Sequence, residues 1–481
     1  MSPSTDRRWL ALIILCLGTL MIVLDATIVN VALPSIREDL GFTETSLAWV
    51  VNAYLLTFGG FLLLGGRLGD IFGHRRMFLI GIVLFTVASL ACGIANSQET
   101  LIAARAVQGL GGAIVSAVAL SLIMTLFTET AERAKAMGVY GFVASGGGTL
   151  GVLAGGILTD TLNWHWIFLV NLPIGVAVYT LTAKLIQGEP GPAKGGSVDI
   201  AGAVTVTTSL MLAVYAIVNG NEAGWTSAQT LGLLGAAVVL MVVFLVIEAR
   251  VSAPLMPLGL FKHRNVSTAN AVGVLLAGSM FAWFFLSALY LQLVLGYSPL
   301  QVGLAFVPSS LIMGGFSLGL SASLVMRFGI KPPLVAGMLF MAAGLLMFAR
   351  VPVDGNFLMD VLPGSILLGI GAGMSFNPLL LAAMGDVEPT EAGLASGVVN
   401  TAFMMGGALG LAILASLAAS RNDSLLASGD EPLTALTGGY HAAFLVGAVF
   451  AAAGAAIGGA LLRADRPAEM HAEAAPEPAS S

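Results

Sequence analysis

Apolar runs of roughly 18 or more residues, broken by short polar turns, follow one another along the whole chain. They lie near 10–33, 47–66, 77–96, 100–126, 136–159, 166–186, 200–219, 228–248, 266–294, 301–325, 332–349, 358–384, 393–417 and 441–462, about fourteen in all. Each is long enough to cross a bilayer as a helix. The first follows Arg7 and Arg8 and has the outline of a signal peptide. It is too long for the apolar region of one, lacks a small-residue cleavage site and contains Asp25, so it is expected to remain in the mature protein.

Composition agrees with the pattern. Of 481 residues, 57% are apolar and 10% charged, against roughly 25% charged in soluble proteins, which argues against a water-soluble enzyme. A net charge of −6 gives no basic footprint for nucleic acid. The two cysteines, Cys16 and Cys92, lie inside apolar runs and exclude a disulfide framework or a cysteine-rich metal site. No histidine has metal-ligand spacing, so no metal is expected. Gly146-Gly147-Gly148 lacks the Gly-Lys-Ser/Thr ending of a phosphate loop and falls at membrane depth. With no nucleotide site, a self-contained ATP-driven pump is not expected. The fold class is therefore all-α, a polytopic membrane protein.

An even number of spans puts both termini on one side. On that count all but four of the 20 Lys and Arg fall on the terminal side; the exceptions are Arg37, Arg350, Arg421 and the intramembrane Arg105. The positive-inside rule then makes both termini cytoplasmic. The longest linkers, 187–199 and 249–265, are too short to be domains, and the Ala/Glu/Pro/Ser tail from Arg463 is expected to be disordered. Asp70-Ile-Phe-Gly-His-Arg75 and Met326-Arg-Phe-Gly-Ile-Lys331 share Phe-Gly and a base two residues on. Parallel halves related by an axis along the membrane normal explain the likeness, as does coincidence in a chain with 60 glycines. If each half has six spans, the organisation is 1–186, two inserted helices with linkers at 187–265, a second half at 266–462 and a tail at 463–481.

A charge inside lipid costs about 2.5–3.5 kcal/mol or more, so buried ionisable groups need a reason. Asp25 lies roughly 12 Å deep from the outer end of the first run, and Arg105 enters the fourth run roughly 8 Å deep. At similar levels the two charges are expected to share a water-filled cavity and to tune each other's protonation. One reading makes Asp25 a proton-binding carboxylate coupled to transport; the other makes the pair a structural tie between helices. Asn30, Asn52, Tyr54, Asn270, Tyr290, Gln292, Asn377 and Asn400 either line a central substrate cavity or bridge helices singly. Trp283, Phe284 and Phe285 either wall an apolar pocket or face lipid. Small-xxx-small spacings, among them Gly147, Gly151 and Gly155, Gly369 and Gly373, and Gly406 and Gly410, fit close helix packing.

Several motifs together resemble the fourteen-span drug/proton antiporter branch of the major facilitator superfamily. They are Leu24-Asp-Ala-Thr-Ile-Val-Asn-Val-Ala-Leu-Pro34, Gly65-Gly-Arg-Leu-Gly-Asp-Ile-Phe-Gly-His-Arg-Arg76, Leu101-Ile-Ala-Ala-Arg-Ala-Val-Gln-Gly109 and Trp164-His-Trp-Ile-Phe-Leu-Val-Asn-Leu-Pro173. Tyr290-Leu-Gln292 with Gly296-Tyr-Ser-Pro299, and Gly393-Leu-Ala-Ser-Gly397, belong to the same set. The resemblance spans essentially the whole chain. It implies a major facilitator fold, no enzymatic activity and no cofactor, with the proton gradient as energy source. The function it implies is efflux of drugs or other amphipathic molecules by alternating access, in a bacterial cytoplasmic membrane.

Under this resemblance Asp25 and Arg105 are the proton-coupling pair, and Gly66, Asp70, Gly73, Arg75 and Gly109 serve gating and packing with Gly147, Gly151 and Gly155. The Asp70 carboxylate is expected near helix N-termini, and Arg75 is expected to pair with acids across the cytoplasmic face, although a merely solvated turn would carry the same charges. Ile71 and His74 stand where the family usually has bases. Val152 replaces the proline usual in the antiporter motif and should leave that helix straighter. The implied partners are a small-molecule substrate, protons and the lipid bilayer, with a monomer as the expected state. A narrow exporter of one metabolite or lipid is the alternative. A channel or a membrane-embedded enzyme would want a pore ring or clustered intramembrane acids, and neither pattern is present.

Overall fold

The computed structural model describes residues 5–463 apart from 128, 187–198, 253, 386 and 388–391. The expected tail and most of the first long linker therefore lie outside the described residues. Among those described there are sixteen α-helices and no strand. They are α1 (Thr5–Leu40), α2 (Glu44–Phe72), α3 (His74–Gly93), α4 (Gln98–Leu126), α5 (Thr130–Thr161), α6 (Trp166–Leu169), α7 (Asn171–Leu185), α8 (Ile200–Ala223) and α9 (Ala228–Arg250). After them come α10 (Arg264–Leu289), α11 (Pro299–Gly315), α12 (Ser321–Phe328), α13 (Lys331–Phe348), α14 (Leu362–Gly385), α15 (Ala392–Ala427) and α16 (Pro432–Leu461).

Twelve helical segments among the described residues are long and apolar enough to span a membrane, counting α6 with α7 as one. The expected runs at 136–159 and 301–325 fall outside that number. The first is α5, of 32 residues; the second is split by a π-turn at Phe316–Leu320, which leaves α11 with 17 residues. Twelve of the fourteen expected runs thus meet this measure among the described residues, and the other two are helical as well.

Local chemistry fixes where helices begin and end. Thr43 accepts from the Ser46 amide while the Ser46 hydroxyl accepts from the Thr43 amide, a reciprocal cap at the start of α2. Ser298 and Gln301 do the same for α11, with Pro299 at the first helical position. At the opposite membrane face Gly73 joins α2 to α3 with φ of 93°, and Gly329 joins α12 to α13 with φ of 80°, both in the left-handed region that favours glycine. The two segments with shared Phe-Gly therefore make the same kind of turn. The base two residues after each glycine also does the same job. Arg75 Nη2 donates to the Ala183 carbonyl at the end of α7 (2.7 Å), and Lys331 Nζ to the Leu462 carbonyl just beyond α16 (3.5 Å). Cations at helix C-termini satisfy carbonyls that have no partner within the helix.

This corrects one expectation. Among the described residues Arg75 forms no ion pair with an acid; the carbonyl end of α7 takes its guanidinium instead. Asp70 does sit beside a helix N-terminus, its Oδ1 3.2 Å from Nε2 of His74, the first residue of α3.

Helices α1 to α7 pack mainly on one another, as do α10 to α16, with contact between the two sets through α2 and α15, α5 and α11, and α1 and α10. The pair α8–α9 stands apart. α8 packs against both α2 and α15, whereas α9 packs on α8 and exposes Val238, Val239, Val242 and Val246. Hydrogen bonds from Asn221 Nδ2 to the Ser416 carbonyl (2.8 Å) and from Ser416 Oγ to the Ile217 carbonyl (3.1 Å) tie α8 to α15.

Glycines set the seams. A Cβ on Gly155 would lie 2.7 Å from the Ile28 carbonyl oxygen, and one on Gly147 would lie 3.0 Å from Val23 Cγ1, so α1 and α5 meet almost backbone to backbone. Gly151 faces Thr27 and Leu24, Gly109 the Tyr54 carbonyl, Gly369 Ser309, Gly373 Met313, and Gly406 and Gly410 face Val274 and Gly278. Gly303 of α11 approaches the Val152 carbonyl across the α5–α11 seam, where a Cβ would be 2.6 Å away. α5 runs through Val152 without a break. Gly66 departs from the expectation. A Cβ there would meet only Ala117 Cβ at 3.8 Å, while its neighbours Gly65 and Gly69 have atoms at 3.0 Å. Consecutive helical residues point about 100° apart, so adjacent glycines in this stretch do not approach α4 equally closely.

Backbone atoms opposite Gly155 cannot yield as a side chain would. Gly155→Leu is expected to lower stability by about 1–3 kcal/mol or more, whereas Gly66→Ala should lie within about 0.5 kcal/mol of wild type. Thermal unfolding of the detergent-solubilised protein checks this; equal melting of the two variants would contradict the assignment of the seam.

Candidate functional site

Helix α1 carries Asp25 in its middle, and four further elements converge on it. α4 brings Arg105 and Gln108, α3 brings Ser89, α7 brings Asn171 from its first position, and α2 brings Val50 and Tyr54. Arg105 Nη1 donates to Asp25 Oδ2 at 2.5 Å. Asp25 Oδ1 accepts from Gln108 Nε2 (2.7 Å) and Asn171 Nδ2 (3.1 Å). Asp25 is 0% exposed and Arg105 1%. Both carboxylate oxygens are thus satisfied in a site closed to solvent, as a buried charge requires.

The guanidinium is equally well held. Its Nε donates to the Val50 carbonyl (2.9 Å) and its Nη1 also reaches Gln108 Oε1 (2.7 Å). The Tyr54 ring lies 4.4 Å and the Phe168 ring 5.6 Å from its central carbon. A desolvated cation over an aromatic face is stabilised by about 2 kcal/mol. Gln108 Nε2 also donates to Ser89 Oγ (2.8 Å), which in turn donates to the Phe85 carbonyl (2.8 Å). The Tyr54 hydroxyl and Asn171 Oδ1 are buried without a hydrogen-bond partner.

The expected pair therefore forms, with a difference: the two charges meet in direct contact rather than across a shared water-filled cavity. The meeting depends on close helices. Gly109 lets the α4 backbone approach that of α2 at Tyr54, and a Cβ on Gly112 would lie 3.1 Å from Tyr54 Oη. Gln108, Ser89 and Asn171 are not among the site residues that the sequence predicts. Gln108 is three residues from Arg105, hence on the same helix face, and that spacing alone was a usable signal. Nothing local in the sequence brings Asn171 or Ser89 to Asp25.

The expected cavity residues make their hydrogen bonds to different partners. Tyr54 belongs to the charge network. Asn30, Asn270 and Asn400 donate to carbonyls of their own helices, those of Ala26, Val266 and Ser396. Tyr290 Oη donates to the Pro352 carbonyl (2.7 Å), and Asn377 is half-buried on α14. Gln292 crosses between the two sets of helices. It sits in a π-turn at Tyr290–Val294 that follows α10, and its Nε2 donates to the Val31 carbonyl of α1 (2.8 Å). Beside it opens a cleft of about 550 Å³ lined by Pro34, Arg37, Glu38, Tyr297 and Pro299. Trp283, Phe284 and Phe285 are buried, with Trp283 and Phe284 packed against Phe306 of α11, so the lipid-facing alternative is ruled out. Among the described residues no group of histidine, cysteine and acids is placed to hold a metal ion.

Comparison with known proteins places this arrangement in context. The sequence model of the Major Facilitator Superfamily matches residues 15–411. A puromycin resistance protein, pur8, of Streptomyces alboniger is 40% identical over 438 residues, covering 90% of this chain and 87% of that one. A cephamycin export protein, CmcT, of Amycolatopsis lactamdurans is 40% identical over 424 residues, covering 87% of each. The crystal structure of a bacterial homologue of the human lysosomal transporter Spinster, inward-facing and unoccupied, shares the fold with a TM-score of 0.67 at 15% identity, covering 95% of this chain and 97% of that one.

Removing one partner of a buried ion pair strands the other charge, at about 3–5 kcal/mol. Arg105→Ala should cost that much, and adding Asp25→Asn to it should recover most of the loss, as read from thermal unfolding in detergent. Equal stability of Arg105→Ala and wild type would contradict the network described. The matched family and the two relatives establish that the chain is a multi-pass membrane transporter of the major facilitator superfamily.

Proposed function

We propose that the protein is a proton-coupled exporter of drugs or other amphipathic or lipophilic small molecules, antibiotics among them. The observation that carries the reading is the Asp25 network: a carboxylate with no solvent exposure, held by an arginine and two amides in the middle of a helix that crosses the bundle. Intramembrane acids kept at such cost most often mark ion or substrate paths. Relatives named for puromycin resistance and cephamycin export support the class of cargo.

The mechanism follows from electrostatics. With Asp25 ionised, its charge is balanced by Arg105. A proton arriving on Asp25 removes that balance and leaves the guanidinium with Gln108, the Val50 carbonyl and the Tyr54 ring. The change of charge alters which helix arrangement is favoured. Cargo that prefers the deprotonated arrangement and a proton that prefers the other bias one equilibrium in opposite directions, which is antiport. The helices α1–α7 and α10–α16 would rock as two bodies about cargo bound between them near the midplane. Gln292 on Val31 would then be among the contacts that part when the Thr43 side opens.

The excess of Lys and Arg on the terminal side supports cytoplasmic termini, in a bacterial cytoplasmic membrane. The coupling needs no bound cofactor, only the proton gradient, and one chain suffices for the network. A narrower exporter is the second reading, favoured by relatives each named for one compound or class. A substrate panel in an efflux-deficient strain separates the two.

The test is reconstitution into liposomes under an imposed pH gradient, following dyes and antibiotics. Wild type should move cargo only with the gradient, and Asp25→Asn should lose gradient-driven transport while still inserting and folding. Full proton-driven activity in Asp25→Asn would remove Asp25 from the mechanism. Asp70→Asn should slow turnover more than it weakens binding, because Asp70 borders the α2–α3 turn and not the charge network; unchanged turnover would reduce that turn to a topology signal.

A further inference from the structure

A second pair of buried carboxyls lies far from Asp25 in sequence, where α8 begins and α9 ends. Asp199 caps α8, its Oδ1 accepting from the Gly202 amide (2.7 Å). Glu248, in the last turn of α9, accepts through Oε2 from the Met256 amide (3.1 Å). Asp199 is 4% exposed and Glu248 3%. The remaining oxygen of each, Asp199 Oδ2 and Glu248 Oε1, is buried with no hydrogen-bond partner. Both converge over Gly202, where a Cβ would lie 2.9 Å from Glu248 Oε1 and nearer still to Asp199 Oδ2. The two carboxyls are within hydrogen-bonding reach of each other.

Among the described residues no cation forms an ion pair with either. The charged side chains on the surrounding elements are Arg67 and Asp70 near the end of α2, Arg250 at the end of α9, and Lys262 in the turn before α10. Two like charges this close and this dry cannot both ionise without a large penalty, whereas a single proton between them gives each orphaned oxygen a partner.

We propose that Asp199 and Glu248 hold one proton between them, a binding site carried by the α8–α9 pair and separate from Asp25. One carboxyl donates the shared hydrogen and the other accepts it; release delivers that proton to water and leaves two carboxylates. The site stands at the foot of α8, where Ala203 packs with Leu64 of α2 and with Leu255, beside Met256 that Glu248 tethers. Loss of the proton drives Glu248 towards water and loosens that foot. Because α8 packs on both α2 and α15, proton occupancy here bears on the seam between the two sets of helices.

The site is tested by infrared difference spectroscopy of the full chain in lipid nanodiscs on raising the pH. Wild type should lose a protonated-carboxyl C=O band, and that band should be absent from Glu248→Gln and from Asp199→Asn. Both substitutions preserve the local hydrogen bonds: Asn still caps α8, Gln still accepts from Met256, and the new amide supplies the hydrogen that the proton supplied. The same band should persist in Asp25→Asn, which separates this proposal from the transport mechanism above. Superimposable spectra for wild type and both variants would overturn it. So would carboxylate bands at this pair that respond to added Na⁺ or Mg²⁺ and not to pH, since the pair would then be a metal-cation site.

Discussion

A charge in the dry interior of a helix bundle has few ways to be stable, and the structure around Asp25 follows from that constraint. The carboxylate needs donors on both oxygens, and Arg105, Gln108 and Asn171 provide them from two other helices. The guanidinium then needs acceptors and an apolar roof, which Val50, Gln108 and the Tyr54 ring supply. Five helical elements are held in register by a single ion pair and the groups that serve it. Replacing such a pair by apolar groups is often neutral or stabilising, so its presence points to a purpose other than stability.

Close approach makes that network possible. Small residues at Gly109, Gly112, Gly147, Gly151 and Gly155 allow α1, α2, α4 and α5 to draw near enough for short polar side chains to reach one another. In lipid there is no hydrophobic force between helices, and such seams rest on van der Waals contact and interhelical hydrogen bonds. The α5–α11 seam, where Gly156 and Gly303 interlock, and the α2–α15 seam, with α8 lodged beside it, join the two sets of helices. Any alternation of access has to open one end of these seams while the other stays shut.

Much of this was readable from the sequence because the bilayer makes rare residues informative. The apolar runs marked nearly every helix, and Asp25 and Arg105 stood out as charges where charges are costly. The Phe-Gly segments announced two equivalent turns, and the Gly73 and Gly329 geometry, with Arg75 and Lys331 on helix ends, agrees with that. What could not be read depended on rotation about helix axes and on distant partners. Gly66 and Gly65 are neighbours in sequence, yet only Gly65 meets the α4 backbone at close range. Arg75 found the carbonyl end of α7 because free backbone carbonyls compete with acids for a guanidinium, and no periodicity reports that. Asn270 and Asn400 turned their amide donors onto carbonyls of their own helices, and Trp283 turned inward, since composition does not say which face of an apolar helix meets lipid. The π-turn at Phe316–Leu320, which divides the run expected at 301–325, has no signature in the hydropathy pattern.

The central claim is that the proton on Asp25 and the cargo are linked. The most direct measurement is proton release when cargo binds, followed with a pH indicator in weakly buffered detergent solution and with a lipophilic cationic dye as cargo. The account predicts that the dye displaces a proton from wild type and none from Asp25→Asn, although both bind it. Equal proton release from the two proteins, or dye binding to wild type with none released, would contradict it.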